Sequence, residues 1–132
     1  MLTTIRKNRG GFTLVEIMIV VAIIALLAAI AVPNFLRARK RSQATRILED
    51  LRLVDGAMDQ YAIDTGKSSG FTPAFADIQN YLKKDTMLYA NGTDLFGNSY
   101  GPYTVDSIPK VPDSAFNALS DVADAAFWSP FK

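Results

Sequence analysis

Between Phe12 and Val32 the chain runs for 21 residues with only two polar side chains, Thr13 and Glu16. About 20 apolar residues in a helix cross the hydrocarbon of a bilayer. The first quarter of the chain is therefore membrane-competent, and the remainder reads as ordinary soluble protein. The 49% apolar and 20% charged residues of the whole chain look globular only because the average hides this segregation. Glu16 stands out within it. A carboxylate inside a span costs about 2.5–3.5 kcal/mol near the centre and less near an end, so an acid here calls for a partner or a task.

Basic residues flank the run: Arg6, Lys7 and Arg9 before it, and Arg37, Arg39, Lys40 and Arg41 after it. Such flanks are the usual company of a membrane span. With no aromatic platform and no recognised fold motif beside them, they indicate no nucleic-acid contact. Counting positive charge leaves the orientation ambiguous, slightly favouring a cytoplasmic C-terminal part. Beyond the first 11 residues, eleven basic against thirteen acidic residues give a net charge of −2.

The chain has neither cysteine nor histidine. No disulfide staples the fold, and metal-imidazole sites, Ser-His triads and Cys-His dyads are excluded. No pair of acids argues for carboxylate-only catalysis, so the chain is not expected to be an enzyme.

Residues 1–11 read as a short basic targeting segment. The apolar helix follows over 12–33. Pro33 would bend or end it, yet a helical pattern resumes at once over 34–65. Ala44, Ile47, Leu48, Leu51, Val54, Met58, Tyr61 and Ala62 recur at spacings of three and four, which makes one apolar stripe. Gly56 weakens it by about 1 kcal/mol relative to alanine. If Pro33 only kinks the helix, the element is about 53 residues and about 80 Å long.

Residues 66–132 read as a small globular head. Thr72-Pro73 predicts the start of a short helix carrying Phe75, Ile78 and Leu82. Asn91-Gly92 between two short apolar stretches predicts a hairpin, and Tyr100 to Val105 a strand. The segment 112–130 predicts a helix with Phe116, Leu119, Val122, Ala123 and Ala126 on one side, closed by Pro130. About 67 residues without a staple make a marginal core, and the stripe on the long helix supplies what it lacks. The expected class is α+β: a long N-terminal helix, half projecting and half packed, with a small antiparallel sheet and short helices.

A plain anchor or a secretory signal cut at Ala29-Ile30-Ala31 would also use an apolar run. The intramembrane acid and the amphipathic continuation past Pro33 count against both.

The stretch "RGGFTLVEIMIVVAIIALLAAIAVPNF" resembles the N-terminus of type IV prepilins and type II secretion pseudopilins. It has a short basic leader, a Gly-Phe junction, glutamate at the fifth position after it, then an apolar run. The resemblance implies a leader at 1–11, cut by a prepilin peptidase between Gly11 and Phe12, with N-methylation of Phe12. It implies that the new amine at Phe12 meets Glu16 of a neighbouring subunit, whose value lies in setting register more than in net stability. The implied product is a helical homopolymer with the apolar helices at its centre. The implied partners are further copies of the chain, the peptidase, an inner-membrane assembly platform with related pilins, and lipid before assembly. The head would face outward from the cytoplasm, in a periplasmic pseudopilus or a surface pilus. A monomeric membrane-anchored extracytoplasmic binding module is the alternative.

The stretch Thr93 to Tyr100, "TDLFGNSY", resembles the D-P-W-G-N-P-Y segment of major pseudopilins, with Leu95-Phe96 for Pro-Trp and Ser99 for the second proline. Together with the lack of cysteine, it leans toward a pseudopilin-like major subunit. The ending Ala123 to Trp128 is faintly similar to their calcium-binding ending, which makes Asp121 and Asp124 the candidate ligands. Calcium takes six to eight oxygens, and two acids on a helix do not make a site. No other cofactor is implied.

Overall fold

The computed structural model describes residues 10–132; the expected leader from Met1 to Arg9 lies outside the described residues. Its longest element, α1, spans Leu14–Thr65 as one α-helix of 52 residues with Pro33 inside it. Proline removes one backbone donor, the one that would have reached the Ala29 carbonyl, and the turns on either side keep theirs. The chain divides between Leu36 and Arg37 into two units, to both of which α1 contributes.

In the first unit every described residue is exposed. This part of α1 is long and apolar enough to cross a membrane, and none of it is covered.

In the second unit the helix is one-sided. Ala44, Ile47, Leu48, Leu51, Val54, Ala57, Met58 and Tyr61 are buried. The spacing identifies all of them except Ala57, whose small side chain carries little pattern of its own. Ala62 packs at the edge of the core. α1 ends where Gly66 takes φ +64° and the Lys67 N–H reaches back to the Ala62 carbonyl at 3.2 Å, a closure that favours glycine.

Four short helices pack on that stripe: α2 (Phe75–Gln79), α3 (Met87–Asn91), α4 (Asp113–Leu119) and α5 (Ala125–Trp128). Ile78, Leu82, Leu88, Tyr100, Val105, Leu119, Ala123, Trp128 and Phe131 complete the core. α2 starts two residues later than Thr72-Pro73 suggests: Ala74 is its N-cap, and the Asp77 carboxylate accepts the Ala74 N–H at 3.0 Å. The helix expected over 112–130 is two helices. Asp124 breaks it by taking an extended backbone and accepting the Phe127 N–H on its carboxylate at 3.0 Å, which starts α5 afresh.

The expected antiparallel sheet is reduced, among the described residues, to one isolated antiparallel bridge between Thr93 and Ser99. Fragments of pairing surround it: Val105 N–H donates to the Phe71 carbonyl at 2.9 Å and Gly70 N–H to the Val105 carbonyl at 3.1 Å. Two local causes limit the ladder. Asn91-Gly92 is no hairpin turn; it ends α3, with Gly92 at φ +64° donating to the Leu88 carbonyl. Beyond it, buried Asp94 accepts the N–H groups of Phe96 and Asn98, both at 2.8 Å, which removes donors a strand would have used.

Candidate assembly site at the N-terminus

Gly10 and Gly11 lie in exposed, irregular backbone, and a Cβ on either would meet nothing within 4 Å. Among the described residues, nothing crowds the glycine side of the Gly11-Phe12 bond. Phe12 is 85% exposed, one residue before the Thr13 cap and two before the first turn of α1.

Glu16 occupies that first turn. Its Oε2 accepts the Thr13 N–H at 2.8 Å, while the Glu16 N–H donates to Thr13 Oγ1 at 3.2 Å. This is a reciprocal capping box: two of the donors that every helix start leaves orphaned are satisfied by each other's residue. A carboxylate at this end also opposes the positive pole of the helix. Thr13 is the capping partner that the reading of Glu16 as an isolated acid misses. The signal is present in the sequence as T-x-x-E, Thr13 to Glu16.

The geometry brings three features together from Gly11 onward. They are an exposed Gly-Phe junction, an acid fixed at the start of a helix, and an uncovered apolar surface continuing from it. Oε1 of Glu16 takes no partner among the described residues, so one oxygen stays available to a cation presented from outside.

Residues 6–32 match the family model described as the prokaryotic N-terminal methylation motif. The N-terminal segment carries the motif of the type IV pilin and pseudopilin family. It is 37% identical over 61 residues to type II secretion system core protein G of Klebsiella pneumoniae, covering 46% of this chain and 44% of that one. It is 47% identical over 58 residues to the type IV wide pilus major component PilA4 of Thermus thermophilus, covering 44% of each. Fimbrial protein Q of Moraxella bovis is 39% identical over 82 residues, covering 62% of this chain and 49% of that protein. The chain thus spans about half the length of the curated relatives it matches. No solved structure gives a significant match.

Two other predicted site residues, Asp121 and Asp124, fall in the second unit. Asp121 forms an ion pair with Lys40 at 2.8 Å, which holds its carboxyl below the usual range. Beside it, Arg41 donates to the Val122 carbonyl and stacks its guanidinium 4.3 Å over the Phe127 ring. Asp124 caps α5. Both calcium candidates therefore have structural employment. Among the described residues no group of three or more acids, histidines or cysteines stands where it could hold a metal ion.

Asp94 organises the "TDLFGNSY" segment singled out in the sequence. Besides the two backbone donors, it receives the Asn98 side-chain amide at 2.9 Å on Oδ2. Asp94 and Asn98 are therefore the residues that organise this loop.

Proposed function

We propose that this chain is the structural subunit of a filament, formed after cleavage between Gly11 and Phe12 and methylation of the new Phe12 amine. The observation that carries the reading is the uncovered apolar face of α1 from Leu14 to Val32 joined to a capped acid, Glu16, at its start. Apolar surface of that extent is stable in lipid or against copies of itself, and a polymer supplies the second environment once subunits leave the first. On this reading the Phe12 amine of one subunit meets the open oxygen of Glu16 on the next. A subunit out of register leaves a charge unpaired among apolar helices, and that penalty selects the register. Pro33 relaxes the helix between its apolar and amphipathic parts.

The precursor sits in the inner membrane with residues 66–132 outside the cytoplasm. Its partners are the peptidase, the assembly platform and further copies of the chain. Relatives named for secretion and for pili are both similar to this chain, and the loop built on Asp94 and Asn98 favours a pseudopilin-like major subunit.

The deciding experiment is the intact mass and N-terminal sequence of the chain recovered from membranes and sheared filaments. A chain starting at Phe12 and heavier by one methyl group supports the proposal. A start at Val32, or an uncut Met1, sinks it.

A further inference from the structure

The segment from Tyr100 to Lys110 joins no ladder, and its own residues are the cause. Pro102 and Pro109 bring no backbone donor. Val105 uses both its backbone groups on one side, donating to the Phe71 carbonyl and accepting from Gly70. Asp106 then turns the chain at φ +59°, and the Ser107 N–H closes the turn onto the Thr104 carbonyl at 3.1 Å. The chain is tied down again at Val111, whose N–H donates to the Phe131 carbonyl at 2.8 Å. Around these ties the segment stands off Val54 and Met58 of α1, and a cavity of about 250 Å³ is left between them.

Buried Val54, Met58, Tyr100 and Tyr103 give this cavity an apolar floor, while Ile108 is 49% exposed at its mouth. Lys110 is the only charged residue in the lining, and no acid is present there. Among the described residues Lys110 has no ion pair and lies over no aromatic ring. The groove between α1 and α3 differs in kind. Arg46 lies there with Glu49 and Asp50, so its charges answer one another. An apolar hollow with a few polar groups to fix orientation is the chemistry of a small-ligand site. Its volume equals the share of about eight waters at about 30 Å³ each, which is room for roughly ten to twelve non-hydrogen atoms.

We infer that this cavity binds a small amphipathic carboxylate, with its hydrocarbon body over Met58 and Ile108 and its anionic end toward Lys110. The site lies wholly within the second unit and goes beyond the filament reading, since it holds whether or not the chain polymerises. A neutral ligand gains nothing from Lys110, and a cation is repelled by it. Among molecules with one hydrocarbon body, the acid therefore binds best.

The test titrates the full chain in detergent micelles with 4-phenylbutyrate, 4-phenyl-1-butanol and 4-phenylbutylamine, following methyl NMR signals of Met58 and Ile108. The Ile63 methyl is the control, because Ile63 is 81% exposed and does not line the cavity. A ligand of this size is expected to saturate both lining signals with a Kd of about 1 mM or below, leaving Ile63 unmoved. The alcohol should bind about threefold to fivefold more weakly, as one exposed ion pair allows, and the amine more weakly still. Lys110→Gln should bring the acid down to the affinity of the alcohol without changing the alcohol, and Lys110→Arg should keep the preference. Shifts that stay linear to about 10 mM, or that Ile63 shares, overturn the site. Equal binding of acid and amine, or an acid indifferent to Lys110→Gln, overturns the carboxylate assignment.

Discussion

The Tyr100 hydroxyl donates to Asp50 Oδ2 at 3.1 Å, joining the loop after the Thr93–Ser99 bridge to the edge of α1. Burial pushes the Asp50 carboxyl above its usual range, with the Tyr100 hydrogen bond opposing, and burial beside Asp50 pushes the Tyr100 phenol up as well. The folded chain therefore holds the Asp50 proton more tightly than the unfolded chain does. Its contribution to stability is full at acid pH and is lost as pH rises from the ordinary aspartate value of about 3.9 through the raised folded one.

Asp50→Asn keeps an oxygen to accept from Tyr100 and removes the buried charge. Its melting temperature at pH 7 is expected to equal or exceed the wild type's, and the advantage should shrink toward pH 4. Tyr100→Phe leaves the carboxylate without its donor and should lose about 1–2 kcal/mol. Thermal melts of the three proteins at pH 4 and pH 7 check both signs. A wild type that gains on Asp50→Asn as pH rises would contradict the assignment.

Trp128, the last residue of α5, is fully buried, with its indole N–H donating to the Ala123 carbonyl at 3.3 Å and its ring edge-on to Phe127. Trp128→Ala is expected to destabilise the second unit by about 3–5 kcal/mol, enough to unfold much of a small core. Trp128→Phe keeps most of the packing and should lose clearly less. Denaturant titrations followed by far-ultraviolet circular dichroism separate the two.

The Thr13–Glu16 capping box makes two predictions that differ in kind. Thr13→Ala removes the hydroxyl acceptor and should weaken the helix start by about 1 kcal/mol, seen as faster amide exchange at Glu16. Glu16→Ala removes the side-chain half of the capping box and the acid together, leaving the bond to the Thr13 hydroxyl. Filaments should be lost while the melting of the second unit is unchanged, because no Glu16 contact reaches it. Glu16→Gln retains an acceptor for Thr13 but not the charge, so it tells the two roles apart. Assembly at wild-type level in Glu16→Gln would show that capping alone is needed.

Legibility followed the range of the interactions. The apolar run and the stripe from Ala44 to Tyr61 were readable because helical periodicity is written along the chain itself. Glu16 stood out because one acid among apolar residues has no averaging neighbour. The head was harder. Asn91-Gly92 looks like a hairpin turn until the four residues before it are seen to be α3, for which Gly92 is an equally good terminator. Asp94 looks like a loop acid, and only the folded chain reveals the three N–H groups converging on it. Asp121 and Asp124 looked like a pair by proximity in sequence. Lys40, 81 residues from Asp121, claims one of them, and the start of α5 claims the other.

Gly92 offers the sharpest test of how the head closes. It ends α3 in the left-handed region at φ +64°, where a side chain is strained whatever the space around it. Space is lacking too, since a Cβ there would stand 2.8 Å from the Phe75 ring and 2.9 Å from the Tyr103 hydroxyl. The Gly92 carbonyl also accepts from Tyr100 N–H at 3.2 Å, so a shift of this residue disturbs the approach to the Asp50 contact. Gly66 has the same φ with nothing within 4 Å of its Cβ position. Gly66→Ala therefore measures the backbone strain alone, expected at about 1 kcal/mol. Gly92→Ala adds displacement of Phe75 and Tyr103 and should lose about 1–3 kcal/mol more. Equal losses in the two variants, measured by chemical denaturation, would mean that the Phe75 ring swings aside without cost and that the head is looser around α3 than its contacts imply.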